Sequence, residues 1–124
     1  MSIRTPLARV EGLGAAHSGT QHFWRQRVSA VALIPLSIWF VISALSLIGA
    51  ARHEAVTFLG MPVNAVLMAL FVIAALHHMM LGVQVVIEDY VHGEAARIAL
   101  LVLNQFFAWL VGAASLFALV KIAL

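Results

Sequence analysis

Residues 62–90 read PVNAVLMALFVIAALHHMMLGVQVVIEDY, and the length of the apolar run within them decides the fold. From Pro62 to Ile87 the only polar side chains are Asn64, His77, His78 and Gln84, and no acid, lysine or arginine interrupts the run. At about 1.5 Å per residue this run makes a helix of roughly 39 Å, which crosses a hydrocarbon layer of about 30 Å with some tilt. A barrel strand is excluded by the lack of two-residue alternation. A helix pairs every backbone N–H and C=O within its own segment, as lipid requires.

Two more runs, Val28 to Ala50 and Ile98 to Val120, have the same character, and the breaks between the three runs are Arg52-His53-Glu54 and Glu88 to Arg97. The 124-residue chain is 64% hydrophobic and 10% charged. A soluble domain of this size has too little interior to hide that many apolar side chains. The expected fold is therefore all-α and integral to the lipid bilayer: one transmembrane domain over 1–124, with an N-terminal tail over 1–27 and spans near 28–50, 62–87 and 98–120. Pro35 inside the first span marks a kink and not an end, because a membrane helix continues past a missing donor. Gly49-Ala50-Ala51 resembles a signal-peptidase site, but the run before it is too long for a signal h-region and a polar tail precedes it. The tail is expected to be retained and ordered against partners.

The net charge is only +2, and four of the seven basic residues, Arg4, Arg9, Arg25 and Arg27, precede the first run. That distribution is a topology signal and not a nucleic-acid patch. With Arg97 in the second loop, five basic residues fall on one side, against Arg52 and Lys121 on the other. The expected orientation puts the N-tail and the Glu88 to Arg97 loop inside, in the cytoplasm or the mitochondrial matrix, and Leu124 outside. A bacterial inner membrane is expected in preference to a mitochondrial one. The chain has no cysteine, which removes disulfides, thiolate-held zinc and Cys-ligated clusters and leaves histidine as the soft ligand.

His77 and His78 lie near the middle of the second span, where an imidazole finds nothing in lipid to bond. One reading is a neutral ring hydrogen-bonded to a neighbouring helix; the other is axial ligation of haem iron. Adjacent residues point about 100° apart on a helix, so the pair cannot clamp one iron from both sides and a second ligand must come from another chain. Gly82, four residues after His78 on the same face, either leaves room for a flat macrocycle or serves close helix packing. His17, His22, His53 and His92 lie outside the spans or at their edges and read as interfacial polar residues.

The second span ends in Glu88-Asp89-Tyr90, two acids at the helix end where the macrodipole disfavours negative charge. Asp89 follows His78 by eleven residues, close to three turns, so the two share a face about 16 Å apart along the axis. Tyr90 reads either as a member of an interfacial aromatic belt or as a phenol donor to a quinone carbonyl. Arg25, Arg27 and Ser29 read as anchoring at the membrane surface, with Arg27 also suited to neutralise a haem propionate. Trp39, Phe40, Phe106, Phe107 and Trp109 read as packing or lipid-facing bulk.

The pattern His78-x-x-x-Gly82-x-Gln84-Val85-Val86-x-x-Asp89-Tyr90-Val91-His92-Gly93 resembles the signature of the small hydrophobic membrane anchor of succinate dehydrogenase, respiratory complex II. Gln26-Arg27-Val28-Ser29-Ala30, the three spans and the chain length are similar to that family as well. The resemblance implies that His78 ligates haem b, and so its iron, that Tyr90 lies at the ubiquinone site with Asp89 in support, and that Arg27 is placed for a propionate. It further implies a second cytochrome b anchor subunit, an iron–sulfur subunit and a flavoprotein subunit as partners, with succinate oxidised in the flavoprotein and electrons delivered to ubiquinone at the anchors. On this reading the chain itself does no succinate chemistry. His77 competes with His78 as the ligand, and spacing favours His78. The rival readings are the anchor of a related fumarate reductase and a non-redox structural membrane protein.

Overall fold

The computed structural model describes residues 5–7 and 17–124, without the side chains of His17 and Ser18. Arg4, Arg9, the side chain of His17 and most of the tail expected to order against partners lie outside the described residues. Among the described residues the helices from His17 onward are, in order, α1 His17–Ser46, α2 Arg52–Gly60, α3 Pro62–Tyr90 and α4 Glu94–Ala123. Three of them, taken over Gly19–Ser46, Pro62–Tyr90 and Glu94–Ala123, are long and apolar enough to cross a membrane.

α3 is the centre of the fold. Ser29 on α1 meets His78 and Phe40 meets Phe71, so α1 runs antiparallel to α3. Asn104 on α4 meets Met80 and Gly112 meets Leu76, so α4 is antiparallel to α3 as well. α1 and α4 each pack on α3, and among the described residues they do not pack on each other. The result is a layer of three long helices, with little to bury between them. Among the described residues only Leu81, Ile87, Ala108 and Leu119 are buried hydrophobic residues, while Ile34, Ile38, Ile73, Leu110 and Phe117 stand exposed. Apolar surface on that scale belongs against lipid or other chains.

Several boundaries differ from the sequence-based expectation: α3 runs on to Tyr90 and α4 covers Glu94–Ala123, so the expected Glu88 to Arg97 break narrows to Val91-His92-Gly93. α1 starts at His17, well before Val28, so Arg25 and Arg27 stand on helix and not in a tail. It runs on through Pro35 and ends at Ser46, earlier than Ala50. Leu47–Gly49 then form a turn in which Gly49 takes φ +79°, a conformation that favours glycine. α2 was not expected at all, because Arg52-His53-Glu54 reads as a polar break. Glu54 explains its start: the carboxylate Oε2 accepts the Ala51 backbone N–H at 2.8 Å, the one half of a capping box available to a residue without a side-chain oxygen. Met61 ends α2 in an extended conformation because Pro62 follows, and Pro62 opens α3 at a position where its missing N–H costs nothing. Asn64 Nδ2 donates back to the Phe58 carbonyl at 2.9 Å, tying the two helices together.

Close packing depends on small residues. A Cβ on Gly112 would lie 3.3 Å from Leu76 Cδ1, so Gly112→Val is expected to force α3 and α4 apart. The expected cost is about 1–3 kcal/mol, read as a lower melting temperature of the detergent-solubilised protein. An unchanged melting temperature would show that the contact is not tight. The Phe40–Phe71 rings stack at 4.5 Å between centroids, which identifies Phe40 as packing. Phe106 and Trp109 meet edge to face on the exposed surface of α4.

Candidate functional site

α1 lies along α3 as a divider, and the two adjacent histidines fall on opposite sides of it. His78 faces a cavity of about 270 Å³ shared with Phe23, Gln26, Arg27 and Ala30. His77 lines the grooves on the other side, with Arg25. The roughly 100° between successive helical residues produces this separation.

His78 is held by Ser29, whose side chain is buried in the α1–α3 seam at 7% exposure. Ser29 Oγ lies 3.1 Å from His78 Nδ1 and 3.0 Å from the Gln26 carbonyl oxygen. A hydroxyl has one proton, and a carbonyl can only accept. The arrangement that satisfies both contacts has Ser29 donating to Gln26 and accepting from His78 Nδ1–H. That tautomer leaves the lone pair of Nε2 free to ligate.

Two neighbours suit a flat, anionic group beside His78. A Cβ on Gly82 would meet nothing within 4 Å, so among the described residues this glycine serves no packing contact and the face it shares with His78 is open. Arg27 stands over the Phe23 ring at 5.0 Å from its centroid, a cation–π contact that steadies the guanidinium without neutralising it. Among the described residues no three His, Cys, Asp or Glu side chains gather into a metal cage. A metal held here would bring ligands of its own, as iron in a macrocycle does.

Asp89 and Tyr90 are exposed at the C-terminal end of α3, with Tyr90 77% exposed. His92 Nδ1 donates to the Tyr90 backbone carbonyl at 3.1 Å, closing the turn into α4. The structure thus groups His78 with Arg27 within the layer, and Asp89 with Tyr90 at its end. Glu88 belongs to neither group, since its Oε1 accepts from Gln84 Nε2 at 2.8 Å. Sequence reading passed over Asn104, whose Nδ2 donates to the Met80 carbonyl at 2.9 Å. An amide in the third span was the available signal. It also gave Ser29 only an anchoring role, since its partner is 49 residues away.

These features define a multi-pass, all-helical membrane protein whose central helix presents one oriented histidine beside an arginine that pairs with no acid among the described residues. The chain belongs to the succinate dehydrogenase/fumarate reductase transmembrane subunit family, which matches residues 1–112. It is 40% identical over its whole length to the succinate dehydrogenase hydrophobic membrane anchor subunit of Paracoccus denitrificans, covering 95% of that protein. The protein of the same name from Rickettsia bellii is 31% identical over 86% of this chain and 85% of its own. The succinate dehydrogenase membrane anchor subunit of Reclinomonas americana is 33% identical over 73% of this chain and 78% of its own. No solved structure matches the chain.

Proposed function

We propose that this chain is a membrane anchor subunit of succinate dehydrogenase, contributing His78 as an axial ligand of haem b and Tyr90, with Asp89, to a ubiquinone-reduction site. The observation that supports the ligand assignment is the Ser29–His78 contact at 3.1 Å, since it favours the tautomer that ligation needs and His77 has no such contact among the described residues. Membership of the family and the names of the relatives support the anchor role. Those names also favour succinate oxidation over fumarate reduction as the direction of turnover.

In this reading His78 and a histidine of a second anchor subunit would hold the haem iron, and Arg27 would neutralise a propionate. The haem, when bound, supplies a one-electron redox centre close to the quinone. Reduction of ubiquinone takes two electrons and two protons, so the site needs donors at the carbonyl oxygens and a path to water. Tyr90 donates its phenol hydrogen to one carbonyl, and Asp89 orients a partner's basic group or relays protons. An iron–sulfur subunit and a flavoprotein subunit dock on the same face, the bacterial cytoplasmic one if Arg25, Arg27 and Arg97 follow the positive-inside rule.

The direct test is an absorbance spectrum of the tagged protein solubilised with its bound subunits, before and after succinate and then dithionite. A b-type haem signal that succinate develops is expected. An intact preparation with no haem under either reductant would end the cofactor assignment. Within the same preparation Ser29→Ala is expected to weaken haem retention by about tenfold to a hundredfold, and Ser29→Thr to restore it. Equal haem content in all three would remove Ser29 from the ligand's support.

A further inference from the structure

The His77 side of α1 carries a further cavity, outside the haem and quinone sites proposed above. Above His77, between α1 and α4 and floored by α3, lies a cavity of about 470 Å³ lined by Gln21, His22, Arg25, Gln84 and Gln105 among others. Among the described residues every polar side chain in it is basic or neutral, and none is an acid. Glu88, one turn beyond, is taken up by Gln84. His22 Nε2 is buried without a hydrogen-bond partner among the described residues. Among the described residues Arg25 faces no carboxylate, which favours an anion, and His22 Nε2 can donate to that anion in its Nε2–H tautomer.

That cavity is continuous with a second of about 460 Å³, because Arg25 and His77 line both. The second is an apolar groove between α1 and α3, walled by Val28, Ala32 and Leu36 on one helix and Leu70, Ile73 and Ala74 on the other. From Gln84 down to Leu70 the two together run about 21 Å along α3. The polar part lies toward the helix end, and the apolar part goes down past His77. A polar, anion-seeking head joined to an apolar channel along a membrane helix has the shape of an amphiphile.

We infer that this face binds one anionic diacyl phospholipid, its phosphate between His22 and Arg25 and an acyl chain in the Val28–Leu36 groove. Neither rival fits both halves. A quinone head is neutral and leaves Arg25 uncompensated, and a free phosphate leaves the apolar groove empty. The inference rests on the membrane-spanning reading alone and stands whatever becomes of the haem.

Native mass spectrometry of the detergent-solubilised protein with its bound subunits tests it, with phosphatidylglycerol and phosphatidylcholine offered in equal amounts. The expected result is one retained phosphatidylglycerol, preferred by about tenfold or more. Arg25→Gln should abolish the preference, Arg25→Lys should keep it, and Ala32→Trp should weaken retention of either lipid by filling the groove. Equal retention of the two lipids by the wild-type protein overturns the inference without recourse to any variant. So does an undiminished preference in Arg25→Gln. Displacement of the lipid by inorganic phosphate at millimolar concentration would overturn it in favour of a free anion, and displacement by decylubiquinone in favour of a quinone.

Discussion

His78→Ala is expected to remove the b-type haem signal from the solubilised protein, while His77→Ala leaves it largely intact. The two residues are chemically identical neighbours, so the contrast depends only on which side of α1 each one faces. His78 has Ser29 Oγ at Nδ1 and shares its cavity with Arg27. His77 opens on grooves lined by Arg25 and apolar side chains of α1 and α3. Losing an axial ligand outright should cost more than losing a group that merely orients it, for which ten- to a hundredfold in affinity is typical, so haem content should fall by about tenfold or more. The check is the dithionite-reduced minus oxidised spectrum, normalised to protein. Haem lost from His77→Ala and kept in His78→Ala would reverse the assignment.

How much of this was legible beforehand follows from where each constraint originates. The spans were legible because lipid imposes a local rule, that each segment pair its own backbone, and residues 62–87 obey it without reference to any other part of the chain. α2 was not, because its stability is tertiary. Residues 52–60 are too few for a helix to hold alone, and they are supported by packing on α3 and α4, where a Cβ on Gly60 would lie 3.4 Å from the Ile122 carbonyl oxygen. The start of α1 was misplaced for a related reason. Gln21 to Arg27 are polar enough to read as a tail, but they continue a helix whose apolar part is already fixed.

The site divides along the same line. That His77 and His78 diverge follows from helical geometry and was legible. Which of them α1 would orient was not, since it depends on Ser29, 49 residues away. Gly82 was open to two readings from sequence. The empty space around its Cβ position removes packing among the described residues, and this could not be known before the neighbours of α3 were placed. His22 had read as an ordinary interfacial residue, and only its buried Nε2 separates it from His53 and His92.

Tyr90→Phe is expected to lower succinate-to-ubiquinone electron transfer by on the order of a hundredfold, while succinate oxidation by a soluble artificial acceptor continues. The substitution removes one oxygen and keeps the ring, so it deletes a proton donor without disturbing the end of α3. The ring is 77% exposed, which leaves no intramolecular contact of consequence to lose. That exposure separates the two readings of the residue. A belt aromatic acts through its ring at the headgroup level, and phenylalanine would keep most of that contribution. A donor to a quinone carbonyl acts through the hydroxyl alone. Asp89, one residue earlier and also exposed, offers the companion test: Asp89→Asn keeps the shape and removes the charge, and should slow quinone reduction with the artificial-acceptor activity again intact. Equal loss of both activities in Tyr90→Phe would mean that the complex had been damaged as a whole. Unchanged quinone reduction would return Tyr90 to the belt and move the donor to another subunit.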